Sequence, residues 1–383
     1  DEICKTLSVI TPEIDFIRIG SELSCDPPFR SRLIENVLES CSTRREVHAR
    51  IERCRVFVGT VATFSSKTDM FRLKTFDVAI VDEATQILEP QLLGLLCARN
   101  VAGNNAIGKF ILIGDHKQLP AVVLQSESQS EVCEECLQSI GLYNLKDSLF
   151  ERLYRTVSAN HSSPTTQRFY DMLCRQGRMN VEVARFPNHA FYGGLLEAVG
   201  LPHQQGELVL APGLESDEFA DVLVSRVAFL PSVPEFPSQS AKINHSEAQL
   251  TARLAAAVYR QYEASGSGFH SALTLGVITP YRSQIALIKR EIAALGIPVL
   301  NDILVDTVER FQGSERDVII YSFCVNRTYQ LKFLANLTEE KGVWIDRKLN
   351  VALTRARKQL FMTGVPHLLR QNPIYADLLD TVL

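Results

Sequence analysis

The feature that most constrains this fold is a series of short apolar runs, rich in β-branched residues, that alternate with longer helical patterns. A strand of a parallel sheet is buried on both faces, so its sequence reads as a continuous apolar run. Helical patterns between such runs indicate right-handed βαβ crossovers. We therefore predict an α/β fold with parallel sheets. The predicted strands are 56–58, 78–81, 110–113, 275–278, 318–321 and 360–362, and the predicted helices include 31–39, 247–263 and 283–294.

The length of 383 residues exceeds one typical core and predicts two domains. We place the first at residues 1–150 and the second at 151–383, because a helical pattern that starts near residue 148 leads from one to the other. Residues 201–240 are rich in Pro, Gly and Ser and carry acidic patches. We interpret them as a surface excursion of the second domain.

The formal net charge of −4 argues against a protein coated in basic surface, so any nucleic-acid contact must be a local groove. The chain has no apolar run of roughly 18 residues and its first residues do not resemble a signal peptide, which predicts a soluble protein without a membrane partner, cytoplasmic or, in a eukaryote, nuclear. Nine scattered cysteines predict buried free thiols. Cys133 and Cys136 have metal-ligand spacing, but a structural zinc needs four ligands and a second pair is missing.

Most of the polar segments begin where a predicted strand ends, which is the edge where open α/β sheets bind ligands. Asp82 and Glu83 follow the strand at 78–81. Adjacent carboxylates there suit the two needs of nucleotide hydrolysis, a bound Mg²⁺ and an oriented water. The segment 114–120 follows the next strand, where Gly114 allows a tight turn and the polar residues behind it could include a phosphate-sensing amide. Solvated acids and ordinary turn residues are the structural alternatives.

Arg178 and Arg355 lie in the second half of the chain. Arginines presented from a second domain stabilise the charge that develops on a transferred phosphoryl group, and together with the first-half segments they predict an ATP site between two domains. Arg357 and Lys358 are interpreted as surface salt-bridge residues. The turn around Gly313, followed by Glu315, suits a contact with ribose hydroxyls.

Hydroxyl groups at strand ends predict contacts with nucleic-acid phosphates, and an aromatic ring there offers a stacking surface for a base. The residues concerned are Thr60, Thr279, Pro280 and Tyr281. Segment 103–110 has the glycine and lysine spacing of a phosphate-binding loop, but Phe110 replaces the Ser or Thr that would bind Mg²⁺ and the segment precedes a strand. We interpret it as a connecting loop.

Taken in order, four segments strongly resemble those of superfamily 1B helicases: Asp82-Glu83-Ala84-Thr85-Gln86, Gly114-Asp115-His116-Lys117-Gln118-Leu119-Pro120, Phe311-Gln312-Gly313-Ser314-Glu315 and Asn350-Val351-Ala352-Leu353-Thr354-Arg355-Ala356-Arg357. The resemblance covers nearly the whole chain apart from residues 201–240. It implies two RecA-like domains, ATP and Mg²⁺ as cofactors, and movement 5′ to 3′ along single-stranded DNA or RNA.

The resemblance also implies roles for single residues. Asp82 would hold Mg²⁺ through water, Glu83 would be the catalytic base and Gln118 would sense the γ-phosphate. Arg178 and Arg355 would be arginine fingers. The other residues assigned to the nucleotide are Gly114, Asp115, Gln176, Gly313 and Glu315, and those facing the single strand are Thr60, Thr279, Pro280, Tyr281 and Thr307.

Two departures from the family pattern stand out. Gly177 occupies the position of a tyrosine thought to stack on adenine, and the phosphate-binding loop expected upstream is absent from the sequence. The chain therefore looks like the C-terminal part of a longer helicase, with an incomplete first RecA-like domain and no catalysis of its own. A non-hydrolysing nucleic-acid-binding or scaffold module derived from a helicase is the alternative.

Overall fold

The computed structural model describes residues 1–159, 169–236, 240–340 and 342–383. The chain divides into two compact units, one made of residues 1–116 and 120–170 and the other of residues 117–119 and 171–383. The predicted boundary at residue 150 falls in a helix of the first unit, Leu149–Ala159. The domain assignment stays a prediction.

The first unit contains two pairs of parallel strands surrounded by short helices. Its strands are β1 (Phe16–Ile19), β2 (Val56–Gly59), β3 (Phe76–Val81) and β4 (Ile107–Leu112). β1 pairs with β2, and β3 pairs with β4. Its helices are α1 (Glu2–Ile10), α2 (Ile34–Leu38), α3 (Arg44–Arg53), α4 (Val61–Ser66), α5 (Met70–Leu73), α6 (Glu89–Leu96), α7 (Glu127–Ser130), α8 (Glu135–Gln138) and α9 (Leu149–Ala159).

Strands β3 and β4 are not buried on both faces, contrary to the expectation from the sequence. Ile80 is 65% exposed and pairs across the ladder with Ile111, which is also exposed. Val78 and Ile113 continue the same exposed face, because alternate residues of a strand point to the same side. The opposite face packs on α5 and α6. Among the described residues, no layer of side chains covers the outer face.

The second unit is a three-layer α/β structure. Its strands are β5 (Arg175–Gln176), β6 (Glu197–Ala198), β7 (Val227–Pro231), β8 (Leu275–Ile278), β9 (Leu304–Asp306), β10 (Arg316–Ser322), β11 (Leu337–Glu340), β12 (Val343–Asp346) and β13 (Ala356–Gly364). Its helices are α10 (Val181–Tyr192), α11 (Pro202–Gln205), α12 (Ala220–Leu223), α13 (His245–Ala264), α14 (Arg282–Ala294), α15 (Val308–Phe311), α16 (Leu331–Leu334), α17 (Arg347–Leu353), α18 (Pro366–Leu369) and α19 (Pro373–Asp380).

Five parallel strands form the central sheet in the order β7-β13-β10-β8-β9. Ile319 and Tyr321 of β10 join the apolar core on one face, with α10, α17 and α19. Val318 and Ile320 join the core on the other face, with α13 and α14. The α/β fold with a parallel sheet is thus confirmed, and in this unit the central strands are buried on both faces. The predicted helices at 247–263 and 283–294 correspond to α13 and α14.

The interpretation of residues 201–240 as a surface excursion does not hold for strand β7 and the segment that precedes it. Strand β7 is an edge strand of the central sheet, and its Phe229 is buried. Before it, Phe219 and Leu223 pack into the core beside α13. A Pro- and Ser-rich composition concealed these elements because it describes the turns between them. Residues 237–239 lie outside the described residues.

Candidate functional site

The acidic pair of the first unit lies at the carboxyl end of β3, as predicted from the sequence. Both Asp82 and Glu83 are exposed, and the Glu83 amide donates to Asp82 Oδ1 at 3.0 Å. Glu83 adopts a left-handed backbone conformation with φ 51°. Gln86 Nε2 donates to Glu83 Oε2 at 2.6 Å and so orients the carboxylate. A left-handed conformation in a residue other than glycine costs of order 1–3 kcal/mol and is concentrated at functional sites.

Gly114 lies immediately beside this acidic turn. The Ala84 amide donates to the carbonyl of Ile113 at 2.7 Å, which extends the β3–β4 ladder into both segments. A Cβ on Gly114 would come within 3.0 Å of Thr85 Cγ2 and 3.1 Å of its amide nitrogen. A larger residue would therefore require Thr85 to shift by a few tenths of an ångström. Asp115 follows in a partly buried turn.

The other predicted elements of the first unit are local structures. Thr60 caps α4, accepting from the Thr63 amide at 3.2 Å, and it is exposed. Lys109 lies within β4, opposite Val78. Segment 103–110 therefore runs into a strand instead of opening a helix, and only residues 103–106 precede β4.

In the second unit, Gln118 and Arg355 are brought together. Arg355 is buried, and its Nη2 donates to Gln118 Oε1 at 3.2 Å. Its Nη1 and Nε also donate to the carbonyls of Ser314 and Val351. Two segments separated by more than 200 residues in sequence thus share one guanidinium. Burial fixes the orientation of this arginine before any ligand is present.

Arg178 and Arg357 both contact Glu315. Arg178 Nε donates to Glu315 Oε2 at 2.8 Å, and Arg357 Nε lies 3.4 Å from Oε1. The carboxylate predicted to contact ribose is therefore shared between two arginines here. Arg357 also pairs with Asp317 at 3.4 Å, and Lys358 with Asp317 at 2.8 Å, which confirms both as salt-bridge residues.

Residues of α11 hold the Arg178 loop in place, and the sequence analysis missed them. Gln204 is fully buried and its Nε2 donates to the carbonyls of Gln176 and Met179 at 2.9 and 3.1 Å. His203 Nε2 lies 3.1 and 2.9 Å from the carbonyls of Gly177 and Arg178. Both belong to the range interpreted as an excursion, where no local pattern distinguishes them from a turn.

Asn350 and Lys117 belong to the segments that resemble helicase motifs, but the sequence analysis assigned neither of them a role of its own. Asn350 Nδ2 donates to the Lys117 carbonyl at 2.8 Å and to Tyr192 Oη at 2.9 Å. Lys117 Nζ donates to the Phe191 carbonyl at 2.8 Å and pairs with Glu340 at 3.1 Å. These contacts fix the backbone next to Gln118.

The predicted nucleic-acid residues of the second unit do not all reach the surface. Thr279 is fully buried, and its Oγ1 lacks a hydrogen-bond partner among the described residues. The prediction that its side chain contacts single-stranded nucleic acid is therefore wrong. Tyr281, after Pro280, is half-buried, and burial raises the pKa of its phenol. Thr307 is half-buried at the start of α15, where its amide donates to Asp306 Oδ1 at 2.8 Å. Gly313 has φ +77°, which requires glycine or strain.

No group of three or more His, Cys, Asp and Glu side chains in the described parts of the chain could hold a metal ion. Mg²⁺ does not need such a group, because it usually retains several waters and binds one or two carboxylates together with phosphate oxygens. The exposed Asp82 carboxylate at the end of β3 fits that mode.

A protein-family model described as an AAA domain matches residues 145–367, and a second model of the same description matches residues 30–126. The chain belongs to the AAA domain family. Its resemblance to superfamily 1 helicases is also confirmed by relatives that are named ATP-dependent helicases.

Three curated relatives are similar in sequence to this AAA domain chain. The DNA replication ATP-dependent helicase/nuclease DNA2 of Mus musculus is 28% identical over 96% of this chain and 32% of its own length. The Xenopus laevis protein of the same name is 30% identical over 94% of this chain and 31% of its own length. An uncharacterized ATP-dependent helicase of Methanocaldococcus jannaschii is 29% identical over 79% and 38%. The chain therefore spans about a third of the length of these relatives.

In this AAA domain chain, no helix among the described residues is long and apolar enough to span a membrane. All nine cysteines are free, and Cys4, Cys25, Cys54 and Cys324 are buried. Cys97, Cys133 and Cys136 are exposed. The expectation of buried thiols therefore holds for some of the cysteines and is wrong for these three.

Proposed function

We propose that this chain is the motor region of an ATP-dependent helicase, which couples ATP hydrolysis to movement along single-stranded DNA or RNA. The observation that carries the proposal is the conformation of Glu83, a strained, left-handed glutamate at a strand end beside Asp82. A structural turn at this position would be relieved by Gly or Asn. The strain is accounted for by a carboxylate that must point in a set direction.

The residues divide the chemistry between them. Asp82 would hold Mg²⁺, which neutralises phosphate charge when bound. Glu83, oriented by Gln86, accepts the proton of the attacking water. From the second unit, Arg178 and Arg355 stabilise charge on the transferred phosphoryl group, and Gln118 responds to the γ-phosphate through its bond to Arg355.

The ion pair between Glu315 and Arg178 is consistent with the role proposed for Arg178. Its pairing with Arg178 is partly exposed, so a phosphate could displace the carboxylate at small cost. Arg178 would then move from Glu315 to the nucleotide, and this exchange links nucleotide binding to the loop that carries Arg178. Gly114, Asp115 and Gly313 are proposed to support the nucleotide from the ends of strands and from turns, and Gln176 from the end of β5.

The test is Glu83→Gln in the parent protein, with single-stranded nucleic acid and Mg-ATP. The amide cannot take a proton, so turnover should fall by at least ~10², while ATP binding persists. Glu39→Gln, an exposed change of the same chemistry in the same unit, is the control and should retain turnover. Near-parental turnover in Glu83→Gln would rule out Glu83 as the base. A parent protein that binds nucleic acid but shows no turnover in either form would favour the scaffold alternative.

A further inference from the structure

The second unit carries an exposed aromatic face that the predicted motifs do not include. A 3-10 turn at Thr328–Gln330 runs directly into α16. Residues at i, i+3 and i+4 of such a run lie on one side. In this run those are Tyr329, Lys332 and Phe333, with Tyr329 56% and Phe333 65% exposed. We name these three residues the Tyr329–Phe333 face.

The buried side of the same run anchors it to the unit. Leu331 and Leu334 join the apolar core, and Gln330 is also buried. Gln330 Nε2 donates to Tyr281 Oη at 3.2 Å and to the Ala241 carbonyl at 2.8 Å. The exposed rings are therefore presented from a fixed backbone.

The Tyr329–Phe333 face adjoins Tyr281, which we predicted to contact a nucleic-acid base. Burial is the main cause that raises the pKa of Tyr281, and the neighbouring Cys324 and Tyr329 raise it further. Gln330, which follows Tyr329 in the sequence, donates to Tyr281 Oη at 3.2 Å. This hydrogen bond fixes the run that carries the exposed rings beside Tyr281.

The charge of this surface favours a polyanion. Residues 327–338, the part of this region that reaches the surface, contain no Asp or Glu, and the exposed Glu339 follows them. The cations in that stretch are Arg327 and Lys332. The Arg327 guanidinium lies 3.4 Å from the ring centroid of Phe236, a second exposed aromatic residue. The acidic residue beside Phe236 is Glu235, and its Oε1 lies 2.8 Å from His245 Nδ1.

We propose that the Tyr329–Phe333 face is a stacking platform for bases of single-stranded DNA or RNA, which extends the strand's path beyond Tyr281. This inference rests on the proposed function. Proteins that bind single strands combine aromatic rings, on which bases stack, with cations that follow the backbone. Here Lys332 lies between two exposed rings and provides both features within one turn. An apolar face for a protein partner would not need the lysine or the acid-free stretch.

The experiment measures the anisotropy of labelled oligo(dT) and oligo(U) of about 20 nucleotides with the 383-residue chain, without nucleotide. Phe333→Ala and Tyr329→Ala should each weaken binding about 5- to 150-fold, the range for losing one stacked base. Phe333→Trp should bind as well as the parent chain, whereas Phe333→Leu should bind as weakly as the alanine variant. Tyr143→Ala, at a 57% exposed ring of the first unit, is the matched control.

Lys332→Gln tests the cation independently of the rings. It should lower the slope of log affinity against log salt by roughly 0.7, the value for one phosphate contact with a single strand. Parental affinity in both alanine variants, or binding retained by Phe333→Leu, would overturn the platform. Absence of oligonucleotide binding by the unaltered chain would also overturn it. The proposed function is judged separately, by the effect of Glu83→Gln on turnover in the parent protein.

Discussion

Glu247 is a buried carboxyl group whose protonation should control the stability of the second unit. It lies in the first turn of α13, where its amide donates to Asn244 Oδ1 at 2.8 Å. Its Oε1 accepts from Ser322 Oγ at 2.7 Å and from the Cys324 amide at 2.8 Å, and its Oε2 accepts from Ser232 Oγ at 3.2 Å. Complete burial nevertheless outweighs these donors and raises the pKa of Glu247 to about 7.

The sign of the pH effect follows from that direction. The ordinary pKa of 4.5 applies to the unfolded chain, so between pH 4.5 and about 7 the folded state binds a proton that the unfolded state has lost. The contribution of Glu247 to stability therefore falls as pH rises through this window and is constant above it. A shift of roughly 2.5 units at 1.36 kcal/mol per unit corresponds to about 3 kcal/mol. This is a large part of the ~5–15 kcal/mol that stabilises a typical domain.

Glu247→Gln removes the titration and keeps the shape. The amide oxygen of the new side chain can accept from Ser322 and Cys324, and its NH₂ can donate to Ser232 Oγ, which rotates to accept. The variant should match the parent chain near pH 4.5 and be about 2–3 kcal/mol more stable at pH 8. At ~2–4 °C per kcal/mol for a unit of this size, the melting temperature should differ by about 5–10 °C.

The assay is thermal unfolding of both chains between about pH 5 and 8, followed by far-UV circular dichroism. Glu339→Gln, an exposed substitution in the same unit, is the control for the loss of one charge and should show no such trend. A difference in melting temperature between Glu247→Gln and the parent chain that is the same at every pH would refute the reasoning. So would a parent chain whose stability rises across this window.

Two further predictions concern the nucleotide and the Arg178 loop. Because Gly177 has only Leu201 and Val199 near the position where its Cβ would lie, a base there loses the roughly 1–3 kcal/mol of an aromatic stack, and the parent protein should hydrolyse ATP and GTP at similar rates. A strong preference for ATP in a steady-state comparison would show that another residue stacks on the base. Gln204→Ala removes the side chain that bonds Gln176 and Met179, and should destabilise the second unit by ~1–3 kcal/mol in urea unfolding and lower turnover. Unchanged stability and turnover would contradict the anchoring role of α11.

The central strands could be predicted from sequence because their buried residues form continuous apolar runs. β8, β10 and β13 lie between helix layers, and the predicted runs at 275–278, 318–321 and 360–362 are their buried, largely apolar parts. Strand β7 could not be separated from its Pro- and Ser-rich surroundings. The outer face of β3 and β4 has the same apolar residues as a buried face, so sequence alone could not show that it is exposed.

The sequence likewise predicts some features of the candidate site and not others. Residue types at strand ends predicted where Asp82 and Glu83 lie, because the carboxyl ends of parallel strands share one edge. The left-handed conformation of Glu83 could not be predicted, since glutamate has little preference for it. Thr279 shows the limit of the same reasoning: a hydroxyl at a strand end can point outward or inward, and here it points inward.

Long-range contacts decide what the arginines can do. Arg355 is fixed by burial and by its bonds to Gln118 and Ser314, whereas Arg178 is partly exposed and pairs with Glu315. A side chain that is already oriented can stabilise charge without rearranging, and one in an exposed ion pair can exchange its partner at small cost. Of the two, Arg355 is suited to a constant role in charge stabilisation. Arg178 is suited to report whether nucleotide is bound, because its movement away from Glu315 would shift the loop that carries Arg178 and that α11 holds.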